Sequence, residues 1–287
     1  MAFNWNTFKT RSLTAAIFVI VMLTGLFWNK WSFLILFSIV HFGAWIEYQK
    51  LVAQFNPDYA LISRLHKALS MLAGWCILLF FTNNSIHIGS INLQIAVLGL
   101  GFVFIVLIPL TDLIKGSFRI PNMAYTIAGL IYISLPLGLM VDMRNRWDEN
   151  YYQLSMTVPL LIIFSLWIND TMAYIVGSII GKHPLSSISP KKTWEGTIGG
   201  IILTIVVISL IAYYTGRLQV THAALMSAIA AITGTIGDLS ESKLKRMAGV
   251  KDSGSIMPGH GGFLDRFDSL LFASVFVWFY AVFFLPT

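Results

Sequence analysis

Apolar residues run along this chain in nine blocks, at about 13–28, 31–46, 68–83, 93–111, 123–141, 155–180, 196–214, 221–239 and 264–285, each bounded by charged or turn-forming residues. A helix needs about 20 apolar residues to cross about 30 Å of hydrocarbon. The pattern therefore predicts an all-α, polytopic integral membrane protein with about nine transmembrane helices. The first two blocks are short and meet at a tight Asn29-Lys30 turn. The first is expected to be a retained span, because it ends in Phe27-Trp28-Asn29-Lys30, with no small-residue cleavage site.

Composition agrees with that pattern. The chain is 56% hydrophobic and 11% charged, where soluble domains carry about 25% charged residues. Soluble classes are thereby excluded. The single cysteine, Cys76, lies in an apolar block. It can form no intrachain disulfide, and the sequence holds no thiolate metal cluster.

Charge placement orients the chain. With nine spans and a cytosolic N-terminus, 15 of the 19 lysines and arginines fall on the cytosolic side; Lys30, Arg144, Arg146 and Arg217 fall on the other. That asymmetry satisfies the positive-inside rule. The net charge of +6 favours acidic partners. No internal repeat or low-complexity tract stands out. Residues 1–150 read as N-terminal transmembrane scaffold. Residues 151–287 read as the C-terminal catalytic region with cytosol-facing loops, because three polar patches gather there.

The first patch is Trp167-Ile-Asn-Asp170-Thr-Met-Ala-Tyr174, inside an apolar block. Asp170, Tyr174, Gly177 and Gly181 share one helical stripe. A carboxylate at that depth faces protein or a polar cavity. The alternative is a structural aspartate bonded to a neighbouring helix. The second patch runs from Gly181-Lys182-His183 to Ser189-Pro-Lys191-Lys192-Thr-Trp-Glu-Gly196. Lysines beside hydroxyls at the start of a helix suit phosphate. The plainer alternative is that Lys191 and Lys192 only enforce topology or touch anionic headgroups. Gly177 to His183 is one residue short of a P-loop between its glycines, and a histidine stands where that motif needs a hydroxyl.

The third patch holds nine charged residues and five glycines between Glu241 and Asp268. Charge beside lipid costs about 2.5–3.5 kcal/mol per residue on insertion scales, so this concentration points to a polar ligand. Asp238, Glu241, Ser242 and Lys245 share a helical face. Carboxylates meeting lysines, arginines and a glycine loop suit a divalent metal bridged to phosphate oxygens; the plainer alternative is a salt-bridged cytosolic loop. His260, between glycines, is open to several roles: base, metal ligand, phosphate contact or turn residue.

The run Ser242-x-Leu-Lys245-Arg246, Lys251-Asp252-x-Gly254, Pro258-x-His260-Gly261-Gly262-Phe-x-Asp265-Arg266-Phe-Asp268 resembles the signature of the CDP-diacylglycerol synthases, or phosphatidate cytidylyltransferases. Met257 is a conservative departure from it. Asp170-Thr-Met-Ala-Tyr174, Gly181-Lys182 and Ser189 to Gly196 also resemble that family's segments. The likeness is specific over about 165–270. It implies a homodimeric enzyme of the bacterial inner (plasma) membrane that uses CTP and phosphatidate, with its site facing the cytosol and no nucleic-acid partner. It implies a magnesium site on Asp238 and Asp265, and a second, monovalent cation that no residue here specifies. Asp170, Lys192, Asp238, His260, Asp265, Arg266 and Asp268 are the expected catalytic group. Ser189, Lys191, Lys192, Ser242, Lys245, Arg246, Lys251, Gly261 and Gly262 are the expected substrate contacts. A polyprenol kinase or another CTP-dependent transferase would use similar anion chemistry. A transporter would ordinarily show a repeat relation between its halves.

Overall fold

A computed structural model describes residues 5–83, 93–147, 150–255 and 261–286. Eleven α-helices follow in chain order: α1 (Trp5–Phe27), α2 (Lys30–Phe55), α3 (Pro57–Ala60), α4 (Arg64–Phe80), α5 (Leu93–Ile114), α6 (Ile120–Gly129), α7 (Leu135–Asn145), α8 (Tyr152–Ile180), α9 (Trp194–Thr215), α10 (Val220–Met247) and α11 (Leu264–Phe284). A π-helical turn, Leu130–Ser134, joins α6 to α7. Helices alone cross a bilayer this way because every backbone group is satisfied within its own segment.

Each of the nine apolar blocks is a helix, but the lengths differ from expectation. Among the described residues, seven helical segments are long and apolar enough to cross a membrane: α2, α5, the α6–α7 unit Ile120–Asn145, and α8 to α11. Within α1 the described stretch Ala16–Phe27 is apolar. The 17 residues of α4 fall below the length a straight crossing needs. Hydropathy counts apolar runs and does not see how far a helix continues into polar sequence. That also explains why α2 runs on to Phe55 and α10 to Met247, well past the expected ends at 46 and 239.

Caps set the starts. Asn29 and Ser32 form a reciprocal capping box at α2, which satisfies two otherwise orphaned N–H groups. The Thr193 side chain accepts from the Gly196 amide at 3.1 Å and opens α9. Gly216, in the left-handed region at φ +62°, closes that helix.

Buried polar groups lock the N-terminal helices together. His66, fully buried, bonds Asp112 through Nδ1 at 2.7 Å and Thr126 through Nε2 at 2.8 Å, tying α4 to α5 and α6. Trp45 Nε1 donates to Ser134 Oγ at 2.9 Å, in the π-helical turn. Such bonds matter where no water competes for buried polar atoms. In the C-terminal half, α8 crosses α9 on small residues. A Cβ on Gly196 would stand 2.7 Å from the Ala173 carbonyl, and one on Gly200 2.8 Å from the Ala173 Cβ. Close backbone approach of this kind is how membrane helices pack without a hydrophobic driving force.

Candidate active site

The end of α8, the start of α9, the end of α10 and the start of α11 meet at one end of the bundle. The loop 181–193 is held by Glu195, in the first turn of α9. Its Oε2 accepts the amides of Lys182 at 3.1 Å and His183 at 3.2 Å, and its Oε1 bonds His183 Nδ1 at 2.5 Å. A single antiparallel bridge, Pro184 to Thr193, and the bond from the Leu185 amide to the Lys192 carbonyl fold the loop back on itself. Lys191 and Lys192 are thereby presented beside the N-terminus of α9, where the helix dipole favours anions.

Lys192 is paired with Asp238 of α10. The pair lies on the wall of a cavity of about 500 Å³, together with Asn169, Asp170, Lys191, Thr193, Thr197 and Thr235. The Asn169 Oδ1 is buried with no hydrogen-bond partner in the described structure. Asp170 also borders a second, smaller cavity of about 120 Å³, with Asp265, Arg266 and Asp268. The junction is strongly charged: Asp170 is within electrostatic reach of Lys192, Asp238 and Arg266, and Asp268 of Asp238, Asp170 and Lys192.

Behind these cavities lies a brace. Lys245 Nζ forms an ion pair with Glu241 Oε2 at 2.5 Å and donates to Asp265 Oδ1 at 2.6 Å, joining α10 to α11. Asp265 Oδ2 accepts the Ser253 amide, the Ser253 hydroxyl and the Gly262 amide, each at 2.8 Å. Gly261, beside it, takes φ +82°, a conformation suited to glycine.

The structure brings together Asp170, Lys191, Lys192 and Asp238 on one cavity, and Asp170, Asp265, Arg266 and Asp268 on the other. Ser242 reaches the first group through Asp238 Oδ1 at 3.4 Å. Ser189 contributes its carbonyl to the Lys192 amide at 3.1 Å, a loop role. Gly262 is buried against Glu47 rather than facing a cavity. Arg246 Nη1 donates to the Val250 carbonyl at 3.1 Å, and Lys251 is exposed; neither lines these cavities. Lys245, expected as a substrate contact, is bonded within the protein to Glu241 and Asp265, with its side chain 12% exposed. His260 lies outside the described residues.

Among the described residues, no three His, Cys, Asp or Glu side chains could by themselves hold a metal ion. Mg²⁺ seldom needs that: one or two carboxylates commonly suffice, with water and substrate phosphates completing the shell. Asp238 fits such a role, as a partly exposed carboxylate on the cavity wall. Of Asp265 only Oδ1 keeps acceptor capacity, since Oδ2 already receives three donors.

One residue of the site escapes the sequence pattern. Glu47 of α2, 5% exposed, reaches across to the loop before α11. It follows directly on an apolar block and reads there as a span end. Its one signal is an acidic residue on a helix that turns out not to stop.

Fold and cavities together define an integral membrane protein whose polar chemistry is gathered where four helix ends meet. The chain belongs to the cytidylyltransferase family, whose model matches residues 9–284. It is 33% identical over 279 residues to a phosphatidate cytidylyltransferase of Bacillus subtilis, covering 94% of this chain and 96% of that protein. It is 32% identical over 266 residues to the enzyme of that name from Staphylococcus saprophyticus, covering 92% and 95%. A stretch of 169 residues is 40% identical to the Staphylococcus haemolyticus protein of the same name, covering 58% of this chain and 62% of that one.

Proposed function

We propose that this protein transfers the cytidylyl group of CTP to phosphatidate, giving CDP-diacylglycerol and pyrophosphate in phospholipid biosynthesis. Relatives matched over nearly their whole length bear the name of that activity. The carrying observation is the cavity in which Lys191, Lys192 and Thr193, at the start of α9, face Asp170 and Asp238.

The phosphate oxygen of phosphatidate forms a bond to the α-phosphorus of CTP. The bond from that phosphorus to the β-phosphate bridging oxygen breaks, and pyrophosphate leaves. Both reactants are anions, so the barrier falls when fixed cations neutralise and align them. Lys191 and Lys192 supply that charge from one side and Arg266 from the other. A phosphomonoester is already ionised near neutral pH, so no strong general base is required. Asp170, between the two cavities, keeps the junction polar and orients the cationic groups around it.

The chemistry that bound Mg²⁺ would supply is positive charge to offset that of the phosphates. Asp238, with the remaining acceptor site of Asp265 Oδ1, would hold the ion. The reading includes a homodimer in the bacterial inner membrane, with a cytosolic N-terminus and the cavities facing the cytosol. That face is where CTP is found and where charge placement puts most lysines and arginines.

The test is an assay of the detergent-solubilised protein with CTP and phosphatidate. CTP labelled at the α-phosphate should pass its label to lipid, with one pyrophosphate released per lipid. Label transferred from the γ-phosphate instead would mark a kinase and end this reading. Lipid flux in proteoliposomes without CTP turnover would mark a transporter.

A further inference from the structure

Helix α11 starts without a cap of its own: Phe263 is its N-cap residue and makes no side-chain capping bond. Its first amides point instead at another helix. Phe263 N–H donates to Glu47 Oε1 at 2.9 Å, and Leu264 N–H to Glu47 Oε2 at 2.9 Å. The same carboxylate accepts the Ser253 hydroxyl through Oε2 at 2.8 Å. That hydroxyl lies equally close to Asp265 Oδ2, at 2.8 Å, so its single proton is shared between the two carboxylates.

The fit is close. A Cβ added to Gly254 or to Gly262 would collide with the Glu47 carboxylate, and one added to Gly43, one turn earlier on α2, would collide with the Phe263 ring. Among the described residues no lysine, arginine or histidine pairs with Glu47. A buried carboxylate without a counter-cation is costly unless hydrogen bonds replace its water. Here backbone amides at a helix N-terminus and a hydroxyl do so, and the helix dipole favours the charge.

We infer that Glu47 is a positioning residue for the proposed transfer. From α2 it caps α11 and clamps both ends of the glycine loop, and through Ser253 it orients the Asp265 carboxylate. Arg266 and Asp268 follow directly on the capped turn, so the placement of the smaller cavity depends on a residue of the N-terminal half. This inference rests on the function proposed above.

The test compares the purified full chain with its Glu47→Gln and Ser253→Ala variants. Glu47→Gln keeps size but replaces one acceptor oxygen with a donor that faces a backbone N–H, and removes the charge from the other bonds. Amide exchange at Phe263 and Leu264 should accelerate at least about tenfold, the scale of one lost charge-assisted bond. Amides of α8 and α9 should be unchanged. The kcat for transfer should fall about tenfold while the KM for phosphatidate stays constant, as expected when orientation rather than binding is lost. Ser253→Ala removes the hydroxyl shared by Glu47 and Asp265, together with the bond it accepts from the Asp265 amide at 3.3 Å, and leaves both amide bonds of the cap in place; it should lower kcat several-fold with exchange at Phe263 and Leu264 unaltered.

Unchanged exchange in Glu47→Gln would overturn the capping role. Faster exchange with unaltered kcat would reduce Glu47 to a local cap, and uniformly faster exchange throughout would make it a general fold anchor; either overturns the inference. If Glu47→Gln does not fold, an unaltered kcat in Ser253→Ala overturns it. Should the unmodified protein make no CDP-diacylglycerol, the proposed function fails, while the exchange measurement still judges the cap.

Discussion

Lys245, near the end of α10, donates to Asp265, in the first turn of α11, at 2.6 Å. The bond gives each residue a second task. In sequence they read as a substrate contact and a metal ligand. In the fold they are two parts of one brace, with Glu241 completing it at 2.5 Å.

Removing the lysine therefore affects stability. Lys245→Met leaves fully buried Glu241 without its counter-charge and removes one of the four donors to Asp265. Breaking a buried pair in this way costs about 3–5 kcal/mol. Thermal unfolding in detergent should show a large loss for Lys245→Met. A variant as stable as the unmodified protein would mean that the brace carries no load.

Asp265→Asn should abolish transfer and also weaken the fold. The sequence alone suggests a variant that folds normally. The structure adds four donors to this carboxylate, and an amide cannot accept them all. Both activity and the unfolding midpoint should fall. Normal turnover would remove Asp265 from the metal site.

The Lys192–Asp238 pair should behave oppositely. Its side chains are 31% and 25% exposed, and pairs that water can reach contribute about 1 kcal/mol or less to stability. Lys192→Met and Asp238→Asn should unfold near the normal temperature, yet lower kcat/KM about a hundredfold or more, the scale of a lost electrostatic contact in a reaction centre. Kinetics unchanged in Lys192→Met would assign that lysine to topology.

Chelation separates the metal from the protein charges. Removing divalent ions should stop turnover of the unmodified protein, and added Mg²⁺ should restore it. Binding of Mn²⁺ in the presence of CTP, followed by its magnetic resonance signal, should weaken in Asp238→Asn. An equally strong signal in that variant would place the metal elsewhere.

Packing can be tested away from charge. Gly200→Leu forces a side chain into the α8–α9 crossing, where a Cβ alone would stand 2.8 Å from that of Ala173. Overpacking of this kind costs about 1–3 kcal/mol. It should also disturb the cavity between those helices, so thermal stability and CTP use should fall together. Full activity would show that the two helices can separate without moving the site.

Much of the site is legible in the chain because its chemistry is costly in lipid. Asp170 stands out within an apolar block, and Lys191, Lys192, Arg266 and Asp268 stand out as charges clustered between spans. Those residues do line the two cavities. Glu47 does not stand out, since the apolar run before it stops one residue short and hides the fact that α2 continues for two more turns. The structural pairing of Lys245 is hidden for a related reason. A charged motif residue looks available for a ligand until the facing helix supplies carboxylates that occupy it.

Composition and the spacing of apolar blocks determine that this chain is helical and lies in a membrane, because hydrocarbon tolerates little else. They also mark which charges need an explanation. Tertiary structure alone decides which of those charges face the cavities and which hold helices to one another. That choice depends on pairings between residues far apart in the chain, such as Glu47 with Phe263 and Lys192 with Asp238, and a carboxylate has the same local sequence whether its partner is a substrate, a metal ion or the start of a distant helix.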